Sequence, residues 1–246
     1  MNGRFLDLHS HILPGVDDGA ATMAETLGML KTACEEGVKT IVATPHYLPG
    51  RHNKKAEDIR RIYEEVCVQA QKAAPELTVL CGNEIYFNES AVKDVKEKKA
   101  LTLADTDYVL IEFSVMSEPR RFFHAVRVFA EAGYRPVLAH AERYAELYKK
   151  EDTIRELVGA GAYIQINAQS FAGGILDRHA AYCRKLLERG LVHFIGSDCH
   201  NLTDRKPQMK TPLDTLKKSA YTRQIEKIMS VNRDCFLHNQ FIQEKG

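Results

Sequence analysis

The sequence predicts an α/β protein, a distorted seven-stranded (β/α) barrel of TIM-like type with its active site at the C-terminal ends of the strands. Three observations predict it. Short apolar runs rich in Val and Ile recur along the 246 residues, each the length of a buried strand. Amphipathic segments of helical period lie between them, and a strand followed by a helix about every 30 residues is the signature of βα units in a parallel sheet. Six of the seven runs lead into His, Asp or Glu, and in βα-barrels such residues converge at one mouth.

In chain order the runs are "FLDL", "TIVAT", "TVLCG", "YVLIE", "PVLAH", "YIQIN" and "VHFIG". After the first, "AETLGMLKTACEEG" carries apolar residues at helical spacing and ends at Gly37, a residue suited to a helix C-cap. "AEDIRRIYEEVCVQAQKAA" is amphipathic and stops before Pro75, while "RRFFHAVRVFAEAG" and "AAYCRKLLERG" end at Gly133 and Gly190. No linker, low-complexity segment or close repeat divides the chain, so residues 1–246 read as one domain. The charge runs "KDVKEKK" and "KKEDTIRE" read as solvated helix faces.

Composition narrows the function. The chain is 44% hydrophobic and 27% charged, with a net charge of +1. It lacks the basic excess of a general nucleic-acid binder, so no nucleic-acid partner is expected. No apolar run reaches the ~18 residues of a membrane helix, and "MNGRFLDLHS" has no apolar core of a secretory signal. Six widely spaced cysteines without a CxxC pair fit reduced thiols in a cytoplasmic protein.

The strand ends carry the chemistry. The first run reaches His9 and His11, the second His46, the third Glu84, the fourth Glu112, the fifth His140 and the seventh Asp198 and His200. The sixth ends in weaker ligand types, Asn167 and Gln169. Residues two apart on a strand point the same way, so His9 with His11, and Asp198 with His200, are each set to face one pocket, with Cys199 turned away. A single histidine or glutamate at a strand end is ordinarily a hydrogen-bonded or ion-paired residue. This many together are not explained by packing, because buried charges are costly unless paired or metal-bound. The sequence therefore predicts a metal site of imidazoles and carboxylates without thiolate, suited to Mn, Fe or Zn. His52, His124, His179, His193 and His238 do not share the placement and read as structural or surface histidines.

"DLHSHILPGVDDG", "PHY", "GNEIY", "IEFS", "LAHAERY" and "GSDCHN" together resemble the PHP (polymerase and histidinol phosphatase) superfamily. More narrowly they resemble the CpsB/CapC group of bacterial metal-dependent tyrosine-protein phosphatases, over roughly residues 4 to 240. The HxH start is shared by many amidohydrolases; "HILPGVDDG" with "IEFS" and "AHAERY" is far more specific. The resemblance implies a PHP fold holding three divalent ions, most readily Mn. His9, His11, Glu84 and Asp198 would hold one. Glu84 would bridge to a second, held also by Glu112 and His140. Asp18, His46 and His200 would hold the third, with Asp17 behind the ligands. Arg143 and Arg205 match the group's phosphate-contacting arginines.

Four carboxylates only partly neutralise three divalent cations, and the remaining positive charge attracts a phosphate dianion. Clustered metals lower the pKa of bound water, which implies attack on phosphorus by a metal-bridging hydroxide, with no phospho-enzyme and no role for Cys199. The implied substrate is phosphotyrosine on a protein, an autophosphorylated membrane-associated bacterial tyrosine kinase that controls capsule or exopolysaccharide synthesis. The alternatives are a histidinol-phosphate phosphatase with the same metal core, a non-catalytic PHP binding module, and a nuclease. No expected ligand is missing, which disfavours the module, and the near-neutral charge disfavours the nuclease. The polar, basic loop "YLPGRHNKKAED" after His46 mildly favours an acidic or phosphorylated peptide over a small alkyl phosphate, although a plain solvated loop is the simpler explanation.

Overall fold

The computed structural model describes residues 5–51, 53–174, 176–216 and 219–243, so His52 lies outside the described residues. Its strands are β1 (Phe5–Ser10), β2 (Val38–Ala43), β3 (His46–Tyr47), β4 (Thr78–Cys81), β5 (Glu84–Tyr86), β6 (Tyr108–Glu112), β7 (Arg135–Leu138), β8 (Tyr163–Asn167) and β9 (Phe194–Gly196). The helices between and after them are α1 (Met23–Glu35), α2 (Ala56–Ala73), α3 (Ala91–Lys96), α4 (Pro119–Glu131), α5 (Glu151–Gly159), α6 (Arg178–Glu188), α7 (Lys210–Leu213), α8 (Ser219–Lys227) and α9 (Arg233–Leu237). Among the described residues no helix is long and apolar enough to cross a membrane.

All strand pairings are parallel. They form one sheet in the order β1-β2-β4 and a second in the order β3-β5-β6-β7-β8-β9. Among the described residues nine strands stand where seven runs predict seven, because a separate short strand follows each of the second and third runs. Pro45, which has no N–H to donate, separates β2 from β3. Gly82 separates β4 from β5, and a Cβ there would lie 2.9 Å from the Cα of Leu103. Backbone bonds from Gly82 N to the Ala43 carbonyl (2.8 Å) and from Glu84 N to the Pro45 carbonyl (3.2 Å) carry the pairing across both breaks. The Asn83 side chain fills the gap, donating to the Pro45 carbonyl and accepting from Leu101 N.

The two sheets meet where the segment after β9 packs on β1. His11 N donates to the Cys199 carbonyl and Asp198 N donates to the His9 carbonyl, both at 2.8 Å, beside a single parallel bridge between Ser10 and Cys199. Asp7 strengthens this seam by accepting from Ser197 N (2.7 Å) and His9 N (3.3 Å).

Helices cover the outside through regular apolar stripes. Phe122, Ala125, Val126 and Phe129 of α4, spaced for one helical face, are all buried. Thr22 caps α1 by accepting from Glu25 N while Glu25 accepts from Ala21 N, and Asp177 caps α6. At the N-terminal ends of the strands, Tyr108, Phe194 and Phe236 meet with ring centroids 5.5–6.0 Å apart. This aromatic cluster plugs one end of the curled sheet and leaves polar side chains to converge at the other.

Gly196 tests the seam. A Cβ there would sit 2.6 Å from the Cβ of His9 and 3.1 Å from both His9 N and Gln165 Nε2. Gly196→Ala should therefore cost about 1–3 kcal/mol by overpacking, seen as a lower urea midpoint. An unchanged midpoint would show that β1 and β9 are free to part.

Candidate metal centre

The side chains gather around Glu84, which opens β5 and is fully buried. Its Oε2 lies 3.2 Å from His9 Nε2, 3.4 Å from His11 Nε2 and 3.0 Å from His46 Nδ1, and its Oε1 lies 2.9 Å from His140 Nε2. Glu112, at the end of β6, is 3.7 Å from both His46 and His140. Asp18 Oδ1 reaches His46 Nε2 at 3.4 Å and His200 Nε2 at 3.5 Å from a largely exposed position. Asp198 Oδ1 stands 3.5 Å from the Nε2 atoms of both His9 and His11.

Three groups have ligand atoms within 4.8 Å of one another: His9, His11 and Glu84; His46, Glu84 and Glu112; and His11, Asp18, His46 and His200. His140 and Asp198 border these groups without joining them. All nine residues implied as ligands thus meet at one end of the sheet.

His9 and His11 face each other as two-residue strand spacing requires, with Nε2 atoms 3.1 Å apart. Asp198 and His200 arrive differently. β9 ends at Gly196, and Asp198 follows in a left-handed backbone with φ 53°. His140, just past β7, also has positive φ, 31°. Such conformations cost roughly 1–3 kcal/mol in residues other than glycine and cluster at functional sites. Cys199 is buried, and burial together with the Asp7 charge pushes its thiol well above the usual range.

Partners behind the imidazoles fix which nitrogen faces the centre. Asp17 Oδ2, an acceptor, lies 2.7 Å from His11 Nδ1. Gln165 Oε1 accepts from His140 N (2.7 Å) and lies 3.2 Å from His9 Nδ1. His200 Nδ1 donates to the Asp198 carbonyl at 3.0 Å. In each of these rings the partner holds Nδ1, which leaves Nε2 as the nitrogen facing the centre. Asp17 also accepts from Gly19 N and His46 N. A Cβ on Gly19 would fall 2.1 Å from the His11 carbonyl, so only glycine fits this turn.

Two guanidiniums close the site. Arg143 Nη2 is 2.8 Å from Asp198 Oδ2, and Arg205 Nη2 is 2.9 Å from Asp198 Oδ1. Asn167 Nδ2 donates to Asp198 Oδ2 as well (2.9 Å). These residues line a cavity of about 350 Å³, walled also by Gln169, His179 and Lys206. His179, read from sequence as a structural or surface histidine, thus borders the site, with its ring stacked on Tyr148 and Nε2 at 3.1 Å from the Glu142 carbonyl. His124 pairs with Glu89, Ile164 N donates to His193 Nδ1, and His238 bonds the Asp234 carbonyl, all away from the centre. Sequence patterning also missed Asp7 and Gln165, which sit inside strand runs rather than at their ends.

The donor set fits cations. Glu84 Oε2 and His200 Nε2 are buried without a hydrogen bond of proper geometry, although buried polar atoms are almost always satisfied. Burial works against charge on His11 and His46, yet neighbouring carboxylates, Asp17 first for His11 and Glu84 first for His46, raise both imidazoles. Burial likewise opposes charge on Glu84, and the surrounding imidazoles hold it well below the carboxylate range. Burial and then the Glu84 charge push Glu112 up. His200 is depressed to about 4 by burial and by the charge of His11.

Carboxylates buried among inward-facing imidazole nitrogens, at the C-terminal end of a curled parallel sheet, define an α/β protein with candidate divalent-metal groups. Residues 5–238 match the family described as capsular polysaccharide synthesis, CpsB/CapC. The chain is 34% identical over 242 residues to tyrosine-protein phosphatase CpsB of Streptococcus pneumoniae, covering 96% of this chain and 100% of that protein. It is 33% identical over 240 residues to tyrosine-protein phosphatase YwqE of Bacillus subtilis, covering 96% and 93%. A solved structure, from work described as YwqE from Bacillus subtilis and CpsB from Streptococcus pneumoniae, unique metal-dependent tyrosine phosphatases, superposes with a TM-score of 0.89 at 32% identity over 98% of this chain and 97% of that one. The chain belongs to the CpsB/CapC family.

Metal loading should release protons. His11, His46 and His140 all hold their protons more tightly than a free imidazole in the metal-free protein, and they must shed them to ligate, so affinity should rise with pH. Titrating Mn into metal-free protein at pH 7, in buffers of different ionisation enthalpy, should show on the order of one or more protons released. A heat independent of buffer would contradict the protonation pattern.

Proposed function

We propose that this chain is a metal-dependent phosphatase acting on phosphotyrosine in proteins. The observation that carries the proposal is the pairing of Arg143 and Arg205 on opposite oxygens of Asp198, at the edge of a cavity that adjoins the buried imidazole–carboxylate cluster. The names of the two relatives support the substrate class.

In this reading His9, His11, Asp18, His46, Glu84, Glu112, His140, Asp198 and His200 hold three divalent ions, with Mn the preferred occupant and Fe or Zn the alternatives. Such ions supply Lewis-acid activation of water and charge stabilisation for in-line displacement at phosphorus. The protein's own groups do the rest. Asp17 and Gln165 keep His11 and His9 in the tautomer that offers Nε2. Arg143 and Arg205, presented by Asp198 at the cavity, receive the non-bridging phosphoryl oxygens through planar donor forks that lysine cannot match. A phenolate leaves with a pKa of only ~10, so the site needs no strong acid beside it. Cys199, buried with its pKa raised, stays out of the reaction.

We further read residues 1–246 as one domain and the two sheets as one distorted seven-stranded barrel, in which β2 with β3 and β4 with β5 are interrupted single strands. The bonds across both breaks and the β1–β9 seam support it. The family description, capsular polysaccharide synthesis, supports a substrate that is an autophosphorylated, membrane-associated bacterial tyrosine kinase, met in the cytoplasm.

The decisive experiment compares turnover of a phosphotyrosyl peptide with that of histidinol phosphate while metal content is measured. Preference for histidinol phosphate would overturn the proposal. Thorough chelation should abolish activity and Cys199→Ser should retain it; the opposite pattern would move the chemistry to sulfur. His9→Ala should lose metal and turnover together.

Arg143→Ala and Arg205→Ala should keep their metals, because a guanidinium ligates no cation. Each should lower kcat/KM by roughly 30- to 1000-fold, by analogy with the loss of one oxyanion donor. The loss should extend to a small aryl phosphate and be only partly rescued by lysine. Parent rates on the aryl phosphate would assign both arginines to holding Asp198 alone.

A further inference from the structure

A second polar cavity, of about 450 Å³, opens beside the loop that leaves His46. Its walls include Tyr47, Arg51, Lys54, Lys55, Lys98 and Lys99. Two carboxylates, Glu57 and Glu97, line it as well, and Glu97 is committed to Lys99 at 2.7 Å. The Arg51, Lys54, Lys55 and Lys98 side chains are exposed, and Lys98 stands within electrostatic reach of Asp105. In a chain of net charge +1, five cations against two carboxylates make a local excess of positive charge around a concave surface, in the stretch whose basic character stands out in the sequence.

The cavity is tied to the metal centre by the backbone. Tyr47 follows His46 directly in β3, and its hydroxyl donates to Asp94 Oδ2 at 3.1 Å, which fixes that wall to α3. Four of the five cations are lysines. Lysine presents a compact, hydrated charge on a flexible stem, whereas a dedicated phosphate site favours the planar fork of arginine. Several mobile ammonium groups around one concavity suit several carboxylates on an extended chain.

We propose that this cavity docks an acidic segment of the phosphoprotein, flanking the phosphotyrosine that enters the metal centre. The proposal rests on the phosphatase reading, and makes substrate choice depend on the sequence around the phosphorylated residue as well as on the phosphate.

The test uses the metal-loaded protein and its Lys54→Glu/Lys55→Glu/Lys98→Glu variant, whose three changed side chains are exposed. Substrates are two phosphotyrosyl peptides of equal length, one with Asp and Glu flanks and one with Ser and Gln flanks, and a small aryl phosphate. The parent should favour the acidic peptide by ~tenfold in kcat/KM, as expected from a few exposed ion pairs, mainly through KM. The preference should shrink as salt shortens the screening length. The variant should lose it while hydrolysing the aryl phosphate at the parent rate. A labelled, unphosphorylated acidic peptide followed by fluorescence anisotropy reads docking without turnover, and should bind the parent more tightly than the variant. Equal binding of that peptide to both proteins, or no preference between flanks in the parent, would overturn the docking site while leaving the phosphatase reading intact. Absence of turnover on every aryl phosphate would overturn the phosphatase reading; the anisotropy comparison would then decide whether the cavity takes acidic chain.

Discussion

The structure is organised by one electrostatic requirement: a carboxylate with no access to water, Glu84, needs positive charge around it. An ionised carboxylate in an apolar interior is strongly disfavoured unless paired. Here His9 and His11 from the end of β1, His46 from β3 and His140 from just past β7 approach it together. A ring of imidazoles around one acid can be assembled only where strands converge, which is at the C-terminal end of a curled parallel sheet. The breaks in β2–β3 and β4–β5 serve the same requirement. Pro45 and Gly82 interrupt the two strands just before His46 and Glu84, so that these two residues open new short strands paired with each other in register.

A second level of constraint holds the ring in shape. Asp17, Gln165 and the Asp198 carbonyl each occupy the outward nitrogen of one imidazole. His140 and Asp198 take left-handed backbones just past β7 and β9, so neither side chain is placed by strand alternation. The Asp198 backbone is held by the close seam between β1 and the segment after β9, where Asp7 bonds the backbone on both sides. Fold and site are therefore one set of contacts: loosening the seam would disturb Asp198 as directly as it would disturb the sheet.

The sequence made the α/β order and the site's membership legible for different reasons. Strand cores such as "YVLIE" carry an apolar signal long enough to recognise, and each ligand stands at a fixed place relative to that signal. His9 and His11 were readable even as a pair, because alternation along a strand is a local rule. Asp198 and His200 have the same spacing but lie beyond β9, so the rule that grouped them was not the one that places them. β3 and β5 are two and three residues long, too short for any periodicity, and their existence depends on breaks at Pro45 and Gly82 that only tertiary packing explains. Gln165 and Asp7 were invisible for the complementary reason: polar residues inside apolar runs announce no function until their partners from distant strands are known. His179 gave no signal at all, since its place at the cavity depends on where α6 packs.

Cys199 has a consequence beyond catalysis. Oxidants attack thiolates, and susceptibility follows low pKa and exposure. Cys199 lies beside the candidate metal centre yet is fully buried, with its thiol held protonated by burial and by the neighbouring Asp7; Cys183 is also buried, and burial raises the Cys81 thiol to about 12. A phosphatase built this way keeps sulfur beside its chemistry without exposing it. Peroxide that silences enzymes relying on a reactive thiolate would find no such group at this centre.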